Sequence, residues 1–134
     1  MTAYLPVEYI PDELVRLGVY QRMVAAEQLD EVRGLRQELQ DRFGDPPTPA
    51  LHLLTWLHIK ALALQAGVSS VTTVGDEFVI RLPILEAQAR DRLHRRYGRD
   101  TSVKVGPQFI RLDRLKLGDA WSEKLIGLLE VLAA

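Results

Sequence analysis

Gly67-Val68-Ser69-Ser70-Val71-Thr72-Thr73-Val74-Gly75-Asp76-Glu77-Phe78-Val79-Ile80-Arg81-Leu82 is where the hydrophobic period of this chain changes. Before it, apolar residues recur every three to four positions, the spacing of helices. Within it, β-branched and aromatic residues gather in two short runs, 71–74 and 78–82, on either side of Gly75-Asp76, which is a hairpin signal. Pro83 ends the second run. Beyond it Leu85, Ala89, Leu93 and Tyr97 restore a helical stripe that closes at Gly98. A second hairpin is predicted over 102–105 and 108–112 around Gly106-Pro107. A last helix follows from about Asp119, with Trp121, Leu125, Leu128, Leu129 and Leu132 facing inward.

On the N-terminal side, Leu5-Pro6 and Ile10-Pro11 punctuate an extended lead. Leu14, Leu17, Tyr20 and Val24 then predict a first helix over about 12–26, and Leu29, Val32, Leu35, Leu39 and Phe43 a second that ends at Gly44. Asp45-Pro46-Pro47 cannot continue it. Thr48 is the predicted N-cap of a third helix, with Pro49 in the first turn. That helix is apolar almost all round, through Leu51, Leu53, Leu54, Trp56, Leu57, Ile59, Leu62 and Leu64, so it is the expected central element and stops at Gly67. The fold class is therefore α+β, an N-terminal three-helix half followed by a small antiparallel sheet of two hairpins with two further helices.

With 134 residues, 47% of them hydrophobic, the chain suits one domain, 1–134, whose core needs no metal or disulfide staple. It has no cysteine, which removes disulfides and thiolate chemistry and fits a reducing cytosol. The apolar stretch 50–66 is interrupted by His52, Thr55, His58, Lys60 and Gln65, so a membrane span is not expected. No signal peptide is read at the start, and Met1-Thr2-Ala3 ahead of Tyr4-Leu5-Pro6 reads as an abrupt opening inside a longer protein. Residues 1–67 carry six Lys+Arg against nine Asp+Glu, and residues 68–134 eleven against nine, so the net −1 divides into −3 and +2. Neither half is a polyelectrolyte.

Catalytic constellations are missing. His52 and His58 stand six apart on a helix and His94 lies in a basic one, so no metal set forms, and neither a Walker phosphate loop nor a Gly-x-Ser-x-Gly elbow occurs. No cofactor is expected. Two charged faces remain. Glu27, Glu31, Gly34, Glu38, Asp41 and Asp45 follow spacings of four, three, four, three and four along the second helix, beside its apolar stripe. Gly34 carries no side chain there and costs about 1 kcal/mol against alanine in a helix, which points to close approach by a partner. The bland reading is a solvated face on which Glu38 pairs with Arg42 four residues on. The second face, Arg92, Arg95, Arg96 and Arg99, falls at i, i+3, i+4 and i+7 and could meet nucleic-acid phosphates. Against that, cations suit the last turn of a helix anyway, and Asp91 and Asp100 flank the group.

Tyr9-Ile10-Pro11-Asp12, Arg16-Leu17-Gly18-Val19-Tyr20-Gln21-Arg22, Glu38-Leu39-Gln40-Asp41-Arg42-Phe43-Gly44 and Pro47-Thr48-Pro49 agree in order and spacing with one known family. The chain resembles the C-terminal domain of the bacterial transcription-repair coupling factor, Mfd, closely over about 4–67 and loosely beyond. The resemblance implies a non-catalytic regulatory domain of an ATP-driven DNA translocase that removes stalled RNA polymerase and recruits the repair protein UvrA; the motor lies outside this chain. It implies that the domain folds back on a UvrB-like N-terminal module of the same polypeptide and covers the surface UvrA would bind. The family's acidic pair maps onto Glu38 and Asp41, with Gly34, Arg42 and Glu31 beside them on the expected interface. Contact with UvrA and RNA polymerase is then indirect, direct DNA contact is not expected, and the place of action is the cytoplasm. The reading kept beside it is a nucleic-acid-binding module acting through Arg92, Arg95, Arg96 and Arg99.

Overall fold

The elements are built in the order the periodicity predicts. The computed structural model describes residues 2–134, so the abrupt opening read at Met1 lies outside them. Packing separates two compact units, Met1–Ala61 and Leu62–Ala134.

In the first unit, α1 (Glu13–Ala25) is capped by Asp12, whose carboxylate accepts the Val15 N–H at 3.1 Å. α2 (Leu29–Phe43) ends at Gly44, which adopts φ +84° and sends its N–H back to the Gln40 carbonyl. α3 (Thr48–Gln65) begins one residue earlier than the sequence predicts: Thr48 lies inside it, and the Pro47 carbonyl accepts the Ala50 and Leu51 N–H groups. The core joins Leu5, Ile10, Val19, Met23, Ala26, Leu35, Leu39, Ala50 and Leu54. The extended lead is tied down where the Leu5 N–H donates to the Tyr20 hydroxyl at 2.7 Å.

One sequence expectation fails here. Of the α1 stripe Leu14, Leu17, Tyr20 and Val24, only Tyr20 packs; Leu14 and Val24 are 80% and 76% exposed and Leu17 is half out. α1 holds two apolar stripes, and the core takes the one through Val15, Val19 and Met23. Helical spacing identifies stripes but does not choose between them. Likewise α3, apolar all round, still exposes Trp56 and Leu64, so it is not enclosed on every side.

In the second unit, β1 (Ser70–Val74), β2 (Glu77–Arg81), β3 (Val103–Val105) and β4 (Phe109–Asp113) form one antiparallel sheet in the order β1-β2-β4-β3. The two hairpins thus join through β2 and β4, where Phe78 pairs with Leu112 and Ile80 with Ile110, all four buried. α4 (Ala87–Tyr97) packs against α6 (Trp121–Ala133), with Leu93, Leu125, Leu128 and Leu129 fully buried. The Trp121 ring lies 4.9 Å from that of Phe78 and brings the start of α6 onto the sheet. A short α5 (Arg114–Leu117), capped by Asp113, and a 3-10 turn precede α6; four residues are too few to show a period.

Candidate protein-docking site

The acidic end of α2 is held from below. Leu39 is buried in the core, and the Tyr9 hydroxyl shares its proton between the carbonyls of Leu39 and Gly44, at 3.1 and 2.8 Å. The Tyr9 ring meets Phe43 edge-on at 5.7 Å, and the Arg42 guanidinium lies 4.9 Å above the other partner of that pair, the Phe43 ring. Burial, with the Asp45 charge nearby, raises the Tyr9 pKa, so the phenol keeps its proton. The two bonds tie the last turn of α2 and the Gly44 that follows it to the N-terminal lead, and so fix the turn into Asp45.

On this platform the two carboxylates have different surroundings. Glu38 Oε2 accepts from Arg22 on α1 at 2.5 Å and from Arg42 on its own helix at 3.2 Å, and its side chain keeps 31% exposure. The hydrogen bond from Arg22, followed by that from Arg42, lowers the Glu38 pKa, and the same bond raises that of Arg22. Asp41 is exposed and accepts through Oδ1 from the neutral Gln37 amide at 2.9 Å. Arg22 and Arg42 both bond Glu38 through Oε2, and Gln37 bonds Asp41 through Oδ1. Among the described residues Glu38 Oε1 and Asp41 Oδ2 thus have no hydrogen-bond partner, and the two residues lie about one helical turn apart.

The rest of the predicted line is less uniform than its spacing. Only 29–43 is helical, so Glu27 and Asp45 lie beyond the ends of α2. Glu31 turns back to the Glu27 N–H at 3.4 Å, the geometry of a helix start, and Asp45 accepts from the Gln40 side chain. At Gly34 a Cβ would meet nothing within 4 Å, so no part of this chain approaches it. Arg22 is the residue that sequence reasoning missed: it lies sixteen positions from Glu38, and no local spacing connects them. The exposed Leu14, Leu17 and Val24 were missed as surface because helical spacing does not choose between the two apolar stripes of α1.

The arginine face lies in the second unit. Arg95, Arg96 and Arg99 are exposed on and just after α4, and Arg92 is half-buried. Among the described residues no cluster of metal-ligating side chains occurs, and no helix is long and apolar enough to cross a membrane.

The family model of the TRCF domain matches residues 1–98. The chain belongs to the TRCF domain family. Over 84 residues it is 33% identical to the transcription-repair-coupling factor of Staphylococcus aureus (strain USA300), a match covering 63% of this chain and 7% of that protein. The homologous protein of Staphylococcus haemolyticus is 34% identical over 82 residues, again with 7% of its length covered. This TRCF domain thus spans a small part of those relatives. A solved structure, the C-terminal domain of a transcription-repair coupling factor, superposes with a TM-score of 0.79 over 98% of this chain and 87% of that one, at 23% identity. The α+β fold is shared with it.

Proposed function

We propose that this TRCF domain is a non-catalytic regulatory domain, 1–134, of a longer cytoplasmic transcription-repair coupling factor. It folds back on the UvrB-like N-terminal module of the same polypeptide and masks the surface that UvrA binds. UvrA and RNA polymerase are reached through that parent alone.

The observation that carries the reading is the pair of open oxygens, Glu38 Oε1 and Asp41 Oδ2, on a helix end locked by Tyr9. A guanidinium has five donors in a planar fork, and two acceptors on adjacent turns match it. Arg22 and Arg42 pre-orient Glu38 without occupying its second oxygen, so an incoming arginine meets a carboxylate already ordered. Gly34, without a side chain and in open space, leaves α2 flat for the same partner.

Such a contact gives specificity more than affinity. Within one polypeptide it acts at an effective concentration in the millimolar range, so a modest polar clasp stays closed. With the open form about 1% populated, apparent UvrA affinity falls about a hundredfold. Reversing both charges, Glu38→Lys with Asp41→Lys, in the full-length parent is expected to raise UvrA binding toward that limit. Unchanged UvrA binding by a folded variant would reject the clasp.

A further inference from the structure

The lead ahead of α1 has neither helix nor strand, yet α1, α2 and α3 all hold it. Pro6 and Pro11 bias the residues before them toward extended backbone. Those residues, Leu5 and Ile10, are buried in the same core cluster as Leu39 of α2. Between them the Pro6 carbonyl accepts the Tyr9 and Ile10 N–H groups and closes a turn.

The tethers follow one another along the chain. The Thr2 carbonyl meets His52 Nδ1 of α3 at 2.6 Å, the Tyr4 N–H donates to the Pro49 carbonyl of α3 at 3.2 Å, and the Leu5 N–H to the Tyr20 hydroxyl of α1. Tyr9 then reaches the Leu39 and Gly44 carbonyls, and Arg16 Nη1 donates to the Ile10 carbonyl at 2.9 Å. A pull from the N-terminal side therefore meets Thr2, Tyr4 and Leu5 before it meets Tyr9. Single hydrogen bonds contribute little each, so such a series can peel one tether at a time.

Withdrawal of Tyr9 takes from the end of α2 its bond to the Gly44 carbonyl and the edge-on neighbour of Phe43. Helix ends that lack outside support fray. Asp41 lies in that last turn, and so does Arg42, one of the two groups that order Glu38.

We propose that the lead is a release strap for the clasp: drawn from its N-terminal side, residues 2–10 peel from the core and unpin the turn that presents Asp41 and orients Glu38. The consequence of release rests on the clasp reading, whereas the mechanical link does not. Under that reading the lead joins this domain to the preceding part of the parent, so displacement of that part loads the strap before it loads a helix.

Amide hydrogen exchange of the 134-residue chain, followed by NMR in low urea, tests the link. Tyr9→Phe keeps the ring and removes both bonds, and exchange at Arg42, Phe43 and Gly44 is expected to rise about tenfold. Tyr20→Phe removes an outer tether, the acceptor for the Leu5 N–H, and exchange at the same three amides is expected to rise about three- to fivefold, because the lead and the end of α2 open as one unit. The Val19 and Met23 amides of α1 should change less than about twofold in both variants. No acceleration at 42–44 in Tyr20→Phe leaves Tyr9 a local brace and overturns the strap. Equal acceleration in α1 and at the end of α2 means that the whole unit loosens, and overturns it too. Affinity of the same proteins for the separately expressed UvrB-like module separates this idea from the clasp. Tyr9→Phe should bind about threefold more weakly or worse. Unweakened binding overturns the strap while the clasp stands; no binding by the wild-type chain rejects the clasp, and the strap's part in releasing it falls as well.

Discussion

Helices α2 and α4 carry charged faces of the same helical spacing, yet the structure uses them differently. On α2, the Glu38 charge is met by an arginine from α1 and another from its own helix, and the ordered carboxylate keeps one oxygen open. On and just after α4, four arginines have no ion-pair partner among the described residues, and one buries a donor unpaired. The residues flanking each helix in sequence gave no hint of the difference. A line of charge is a property of one helix, but whether that charge is spent depends on the element packed beside it.

The largest effect that bears on this contrast concerns the platform below α2. Leu39→Ala should cost about 2–5 kcal/mol by urea denaturation, because Leu39 is fully buried beneath the clasp. Leu14→Ala, on the exposed stripe of α1, should cost less than about 0.5 kcal/mol. Equal losses would mean that the core uses the other stripe.

The next effect concerns the one acid of the second unit that is firmly paired. Hydrogen bonds from Lys124 and Ser102 lower the Asp100 pKa from 3.8 to about 2. A carboxylate with a depressed folded pKa stabilises the fold above its unfolded pKa and loses that contribution as pH falls through the folded value. The loss should therefore occur between about pH 4 and pH 2, and Asp100→Asn should remove it. Because the pair is partly exposed, the cost at pH 7 is about 1–2 kcal/mol. Stability curves of the two proteins that stay parallel down to pH 2 would contradict the pairing.

The smallest effect sharpens the contrast most finely. Arg22→Gln breaks an exposed pair and should cost less than about 1 kcal/mol. It should nevertheless let the Glu38 pKa rise toward the ordinary carboxylate range, since Arg22 is the largest cause of its depression. Carbon-detected NMR titration of the Glu38 carboxyl reads the shift. No shift would mean that Arg42 alone orders the group.

Much of the fold was legible from local signals. Asp12 and Gly44 close their helices as capping chemistry predicts, and Gly75, at φ +59°, turns the first hairpin. The pairing of β2 with β4, which makes two hairpins one sheet, has no local signal, because strand neighbours distant in sequence are chosen by packing. The same limit applies at the site. Glu38 and Asp41 could be placed on one face from their spacing, and the Arg42 partner four residues on was readable too. Arg22, Tyr9 and the burial of Arg92 could not, because each depends on a residue brought near by folding.

The most direct test of the clasp is calorimetric binding of this chain to the separately expressed UvrB-like module, with Glu38→Gln and Asp41→Asn together as the comparison. These changes keep shape and remove only the anionic charge. Loss of at least tenfold in affinity, with the thermal midpoint of the domain unchanged, is the predicted result. Equal affinity for wild type and variant would contradict the claim that the open oxygens at the end of α2 receive the partner.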